Sequence, residues 1–184
     1  MRRLSTIATV LLCGCAPPLV PIPLGKASPV PPVKLAVFLP TDARTGPPDR
    51  ELSDDASAVV REALVREFRK SGCPLADLDT LDTLVQGSVA NGDITWEEAS
   101  RIAQRVGADL SVVGRVTDYR RGHLLGRSTA VGIRLDVVDP DGRTSWTVVH
   151  RETAAQEDPA ILARDVSLKA ARALVAAWGG CPSK

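Results

Sequence analysis

Aromatic residues are scarce in this 184-residue chain: two Phe, three Trp and the single Tyr119 make up 3% of it. So thin a supply cannot furnish the stacking platforms on which bases or sugars are bound. Charge of one sign is also lacking. The 23 Lys and Arg against 22 Asp and Glu leave a formal net charge of +1, which argues against a nucleic-acid binder and against an acidic disordered tail. Histidine occurs twice, at His123 and His150, so chemistry near neutral pH has few carriers. Long apolar runs are missing as well: the leading one, Leu4 to Leu12, is far short of the roughly 20 residues that span a hydrocarbon core.

Organisation begins at the N-terminus. Met1-Arg2-Arg3 gives a positive start, and Leu4 to Leu12 follow as an apolar stretch interrupted by Ser5, Thr6 and Thr9, the two leading regions of a secretory signal. The stretch closes on Leu12-Cys13-Gly14-Cys15 rather than on an Ala-x-Ala site. This resembles the lipobox of bacterial lipoproteins, in which an aliphatic residue and small residues precede the cysteine that is modified. The resemblance implies that residues 1–14 are a lipoprotein signal peptide and that Cys13 leaves with it. It implies too that Cys15 becomes an N-terminus carrying palmitate-like acyl chains, so that the membrane is a partner through a lipid anchor. Acyl chains buried at about 0.8 kcal/mol per methylene hold such a protein permanently. Ala16 stands where aspartate would, by that family's sorting rule, retain the protein in the inner membrane; the outer membrane, facing the periplasm, is the implied location.

Residues 15–32 form the lipidated cysteine and a linker, with seven of the chain's fourteen prolines between Ala16 and Pro32. Proline fixes φ and removes a backbone donor, so the segment is expected to be an extended spacer reaching about 50 Å at about 3.1 Å per residue. Cys73 and Cys181 remain. In an oxidising compartment two isolated thiols form a disulfide more often than a metal site, and each follows glycine after a helical pattern, in Ser71-Gly72-Cys73 and Gly179-Gly180-Cys181. They are a candidate disulfide, since sequence does not place their α carbons within bridging distance.

Residues 33–178 read as one domain, with 179–184 as a tail. Lys34 to Pro40 is an apolar run closed by proline, a buried strand. A helix follows from a cap at Ser53 or Asp54, with apolar positions at Ala56, Val59, Val60, Ala63, Leu64 and Phe68, and stops at Gly72. Leu75 to Val85 suggests a poor short strand and a helical turn or two. Thr95-Trp96-Glu97-Glu98 is a capping box opening a helix that ends at Gly107. Three strands come next, at Asp109 to Tyr119, Ala130 to Asp139 and Thr144 to Arg151. The last two are joined by Asp139-Pro140-Asp141-Gly142, a type I turn suited to a bulged hairpin. Asp158-Pro159 caps a final helix. The expected fold is α/β, a single two-layer domain in which a mixed β-sheet is covered by helices.

The run Val106-Gly107-Ala108-Asp109-Leu110-Ser111-Val112-Val113-Gly114-Arg115-Val116, followed by the turn at Asp139 to Gly142 and a tryptophan-bearing strand, is similar to a domain found in three groups. These are the N-terminal domain of the Tol translocation β-propeller protein, the curli-secretion lipoprotein, and the lipoprotein activators of penicillin-binding proteins. The resemblance implies a non-enzymatic accessory component of a cell-envelope assembly or secretion system; the alternative it implies is activation of a peptidoglycan synthase. The curli-type lipoproteins insert long membrane-spanning hairpins, whereas Arg120 to Ser128 is short and polar and can build no barrel.

The residues themselves offer little chemistry. His150 lies in a strand beside Arg151 and reads as a sheet-surface residue; His123 lies in a loop without a recognisable nucleophile. Asp77, Asp79 and Asp82 read as a solvated helix start. Aligning Gly142 with the sixth position of a calcium loop puts Val137 and Val148 at ligand positions, so that reading fails. Neither a catalytic residue nor a metal or other cofactor is expected. A positive patch is the one candidate surface: Arg115, Tyr119, Arg120, Arg121, His123 and Arg127 gather at a strand end and its loop. It would suit an acidic periplasmic or outer-membrane protein partner or a cell-wall polymer, while association between copies through a strand edge is a further expectation.

Overall fold

The computed structural model describes residues 19–23, 34–44, 55–88, 94–121, 128–155 and 157–181. The expected signal peptide of residues 1–14, Cys15, His123 and Arg127 lie outside the described residues. In chain order the elements are β1 (Ile22–Pro23), β2 (Leu35–Val37), β3 (Thr41–Asp42), α1 (Ala56–Lys70), α2 (Leu78–Ser88), α3 (Trp96–Arg105), β4 (Leu110–Arg120), β5 (Thr129–Val138), β6 (Thr144–Ala154) and α4 (Pro159–Ala177). They make one α/β domain around a mixed sheet of order β1-β6-β5-β4-β2, with β3 pairing β4 farther along. β2 and β3 run parallel to β4, and the remaining pairs are antiparallel.

Strand alternation sorts the side chains onto two faces. Val112, Val116, Val131, Ile133, Leu135, Val137 and Val148 meet α1 and α4 in the larger core, which Val60, Leu64 and Phe68 enter from α1 at helical spacing. Ala36, Phe38, Val113 and Val138 meet Leu81 of α2 and Ala99, Ile102 and Ala103 of α3 in a smaller one. Sheet and α1/α4 are the two full layers; α2 and α3 add a partial third over one end of the opposite face.

α1, α3 and α4 end alike. Gly72, Gly107 and Gly179 take positive φ, and the amide after each donates back to the carbonyl of Phe68, Ala103 or Val175. This closure satisfies carbonyls that a helix end would leave bare. The C-termini of α1 and α4 meet, and there Phe68 and Trp178 stack with centroids 6.0 Å apart. Cys73 and Cys181 are joined there by a disulfide, Cα to Cα 4.9 Å.

Asp55, not Ser53 or Asp54, caps α1, its carboxylate accepting from Ser57 N at 2.9 Å and Ala58 N at 3.2 Å. Leu75 makes only an isolated bridge to Leu35, and α2 runs 11 residues because Asp77 caps it and Arg61 of α1 reaches across to Asp82 at 2.7 Å. The linker is not wholly a free spacer. Ile22 pairs with Thr147 and Pro23 with Trp146 at the sheet edge, Leu19 packs on the larger core, and Pro21 is buried. An edge is where a strand tolerates proline, because the missing donor faces away from the ladder.

Candidate interaction surface

β4 is not a regular strand. Its register against β5 shifts between Val116 and Asp118, so one extra residue, Thr117, is accommodated in a bulge. Beyond it the alternation inverts: Tyr119 turns into the larger core and is 2% exposed. Tyr119 therefore belongs to no surface patch. Arg44 covers its ring, 5.7 Å from the centroid, and hydrogen-bonds to Asp42, holding that carboxyl below the usual range. Gly132 lies opposite the bulge; a β carbon there would fall 2.7 Å from the Thr117 hydroxyl oxygen.

The other predicted patch residues separate. Arg115 and Arg120 stand on the sheet face away from α1 and α4, whereas Arg121 reaches Asp158 at the start of α4, 3.2 Å away. The face holding Arg115 and Arg120 has a polar network that the patch reading missed. Arg134 lies opposite Arg115 on one side and Val149 on the other. Its Nε donates to both carboxylate oxygens of Asp136, at 3.1 and 3.0 Å, and the Thr147 hydroxyl donates to the same group at 2.7 Å. Asp136 is buried, and these partners supply the hydrogen bonds that its burial would otherwise cost. Arg151 donates from Nε and Nη2 to Asp118, at 3.0 and 2.9 Å, and Arg120 lies 3.6 Å from the same carboxylate. Four guanidiniums thus face two carboxylates. The signal was the polar half of the alternation in β5 and β6, at Gly132, Arg134, Asp136, Thr147 and Arg151. Among the described residues no helix covers this part of the face, which α3 reaches only at the Val113 and Val138 end.

On the opposite face His150 lies beneath α4 rather than on an open surface. Its Nε2 is 2.7 Å from Glu152 Oε1, to which Lys169 Nζ donates at 2.6 Å. Burial works to raise the Glu152 carboxyl, but these two hydrogen-bonded partners outweigh it and hold the group low. Asp139 serves turn chemistry, its Oδ1 accepting from Asp141 N and Arg143 N. Among the described residues no group of three or more His, Cys, Asp or Glu could hold a metal ion, and no helix is long and apolar enough to cross a membrane.

The outer edge of β6 is paired only at Trp146 and Thr147; Val148 to Ala154 meets no described strand. Edge amides and carbonyls of this kind can accept a further strand.

The chain matches no protein-family model and no curated protein. Among solved structures it is similar to the PelC dodecamer from Paraburkholderia phytofirmans, at 15% identity and TM-score 0.53 over 85% of this chain and 95% of that one. It is similar to lipoprotein GNA1162 from Neisseria meningitidis, at 17% identity and TM-score 0.53 over 74% of this chain and 92% of that one. The LpoB C-terminal domain from Escherichia coli matches at 18% identity and TM-score 0.48, over 71% and 88%. The first two share the fold of this domain.

Proposed function

Taking that shared fold as the premise, we propose that the chain is a lipoprotein of the outer membrane, facing the periplasm. It acts by binding, as an accessory component of a cell-envelope assembly or secretion system. The observation that carries this is a conjunction: a fold held in common with a solved lipoprotein, on a chain whose own Leu12-Cys13-Gly14-Cys15 resembles a lipobox. Cys15 is the acylated residue, residues 1–14 are removed, and the domain of residues 33–178 is the part that binds partners. The occurrence of this fold in a dodecamer supports association between copies, for which the edge from Val148 to Ala154 is suited.

Crosslinking in cells followed by mass spectrometry tests the role, with Cys15→Ala as control. Recovery of envelope-assembly or secretion components, lost in the control, is the expected result. Recovery of a penicillin-binding synthase in their place would replace the accessory role with synthase activation. Failure of the wild type to incorporate labelled palmitate would remove the anchor.

A further inference from the structure

Exposed apolar side chains gather where β1 meets β6. Ile22 is 58% exposed and lies opposite Thr147, and Val149, 59% exposed, is two residues farther along the same face. Val20, 70% exposed, precedes Ile22 by two residues with the buried Pro21 between them, and so lies on the same side of the chain. Three of the six large apolar side chains exposed among the described residues therefore share one corner. That corner adjoins the guanidiniums, since Arg134 is opposite Val149 and Arg115 opposite Arg134, with Arg151 two residues along β6. Four arginines against Asp118 and Asp136 leave a local excess of two positive charges.

Chain length says what this corner meets. Only Ala16, Pro17 and Pro18 separate Cys15 from the docked Leu19. Four residue steps span at most about 14 Å, so an acyl anchor at Cys15 keeps the β1 corner within that distance of its own attachment point. Apolar side chains bordered on one side by arginines are what an interfacial surface needs, the former at the acyl boundary and the latter at anionic headgroups.

We propose that the β1–β6 corner of the uncovered sheet face rests on an anionic lipid bilayer. Val20, Ile22 and Val149 enter the interface and Arg115, Arg134 and Arg151 take headgroup phosphates. This rests on the lipoprotein reading for its geometry, and it goes further by fixing which face the domain turns to the membrane. The β6 edge then lies at the lipid surface, and α1 and α4 face away from it.

The test uses the lipidated protein in vesicles, with a polarity-sensitive fluorophore at Val149→Cys or, on the exposed side of α4, at Ile161→Cys. Vesicles of neutral lipid, or of neutral lipid with one third phosphatidylglycerol, carry a quencher in the acyl region. Blue shift and quenching at position 149 but not 161, stronger in anionic vesicles, are expected. Arg115→Gln and Arg151→Gln should each lower the docked-to-undocked ratio about fivefold without altering the thermal midpoint by more than a few degrees. Equal quenching at both positions, no quenching at 149, or quenching at 149 only between labelled copies overturns the proposal. Loss of flotation with neutral vesicles would remove the Cys15 anchor alone, because docking would still appear as quenching at 149 when anionic vesicles are added.

Discussion

Replacing Cys73 and Cys181 by alanine together removes a crosslink whose partners are 108 residues apart. The native structure gives this bridge little to hold. Both helix ends it joins are already closed by back-turned amides, and Phe68 stacks on Trp178 beside it. The effect should therefore fall on the unfolded chain, which gains the conformational freedom of a loop of that size, about 4 to 5 kcal/mol in the chain-entropy account. For a domain of this length that is a drop in thermal midpoint of about 10 to 15 °C. Urea unfolding of the wild type and the double variant should show the loss together with a steeper denaturant slope, because the unbridged unfolded chain is less compact. Reductant should reproduce the shift in the wild type and do nothing to the variant. A loss under about 1 kcal/mol with an unchanged slope would refute the reasoning, as would a native near-ultraviolet spectrum altered by the substitutions.

Gly132→Ala should destabilise by about 1 to 3 kcal/mol, since its β carbon would meet the Thr117 hydroxyl oxygen at 2.7 Å, and Thr117→Ala should restore most of the loss in the double variant. Urea midpoints check this, and an unaffected Gly132→Ala would mean the bulge yields. Stability should stay level from neutral pH to about 5 and fall below about 4.5. The carboxyls of Asp42, Asp77, Glu98 and Glu152 are held low in the folded chain, so the unfolded chain takes up protons first as pH drops. Glu152→Gln should flatten part of that acid limb; a stability that rises on acidification would contradict the assignment.

Helix ends were the most legible feature, because a glycine beyond an apolar stripe has one efficient use there and Gly72, Gly107 and Gly179 all serve it. The hairpin at Asp139 to Gly142 was equally plain. β4 misled because its extra residue, Thr117, carries no glycine or proline to mark it; the mark sits on the partner strand, at Gly132, and only pairing connects the two. The extent of α2 was obscured by Thr80, Thr83 and Gly87, although Leu78, Leu81, Leu84 and Val85 keep helical spacing. Proline content hid the docked segment, whose apolar Leu19 and Ile22 were the only hint. Alternation in β5 and β6 disclosed a charged face, but whether a helix covers that face is decided by residues far away in sequence.

β4, β5 and β6 follow one another with short links and pair in sequence order, and α4 packs on them directly afterwards. Both flanking positions of the sheet are filled from the opposite end of the chain, β2 against β4 and Ile22 against Thr147. Local pairings close small loops and distant ones close large loops, so the meander and α4 should assemble first and β1 last. A chain folding in that order acquires its N-terminal strand as the final step, and until then the whole outer margin of β6 is available to whatever strand reaches it first.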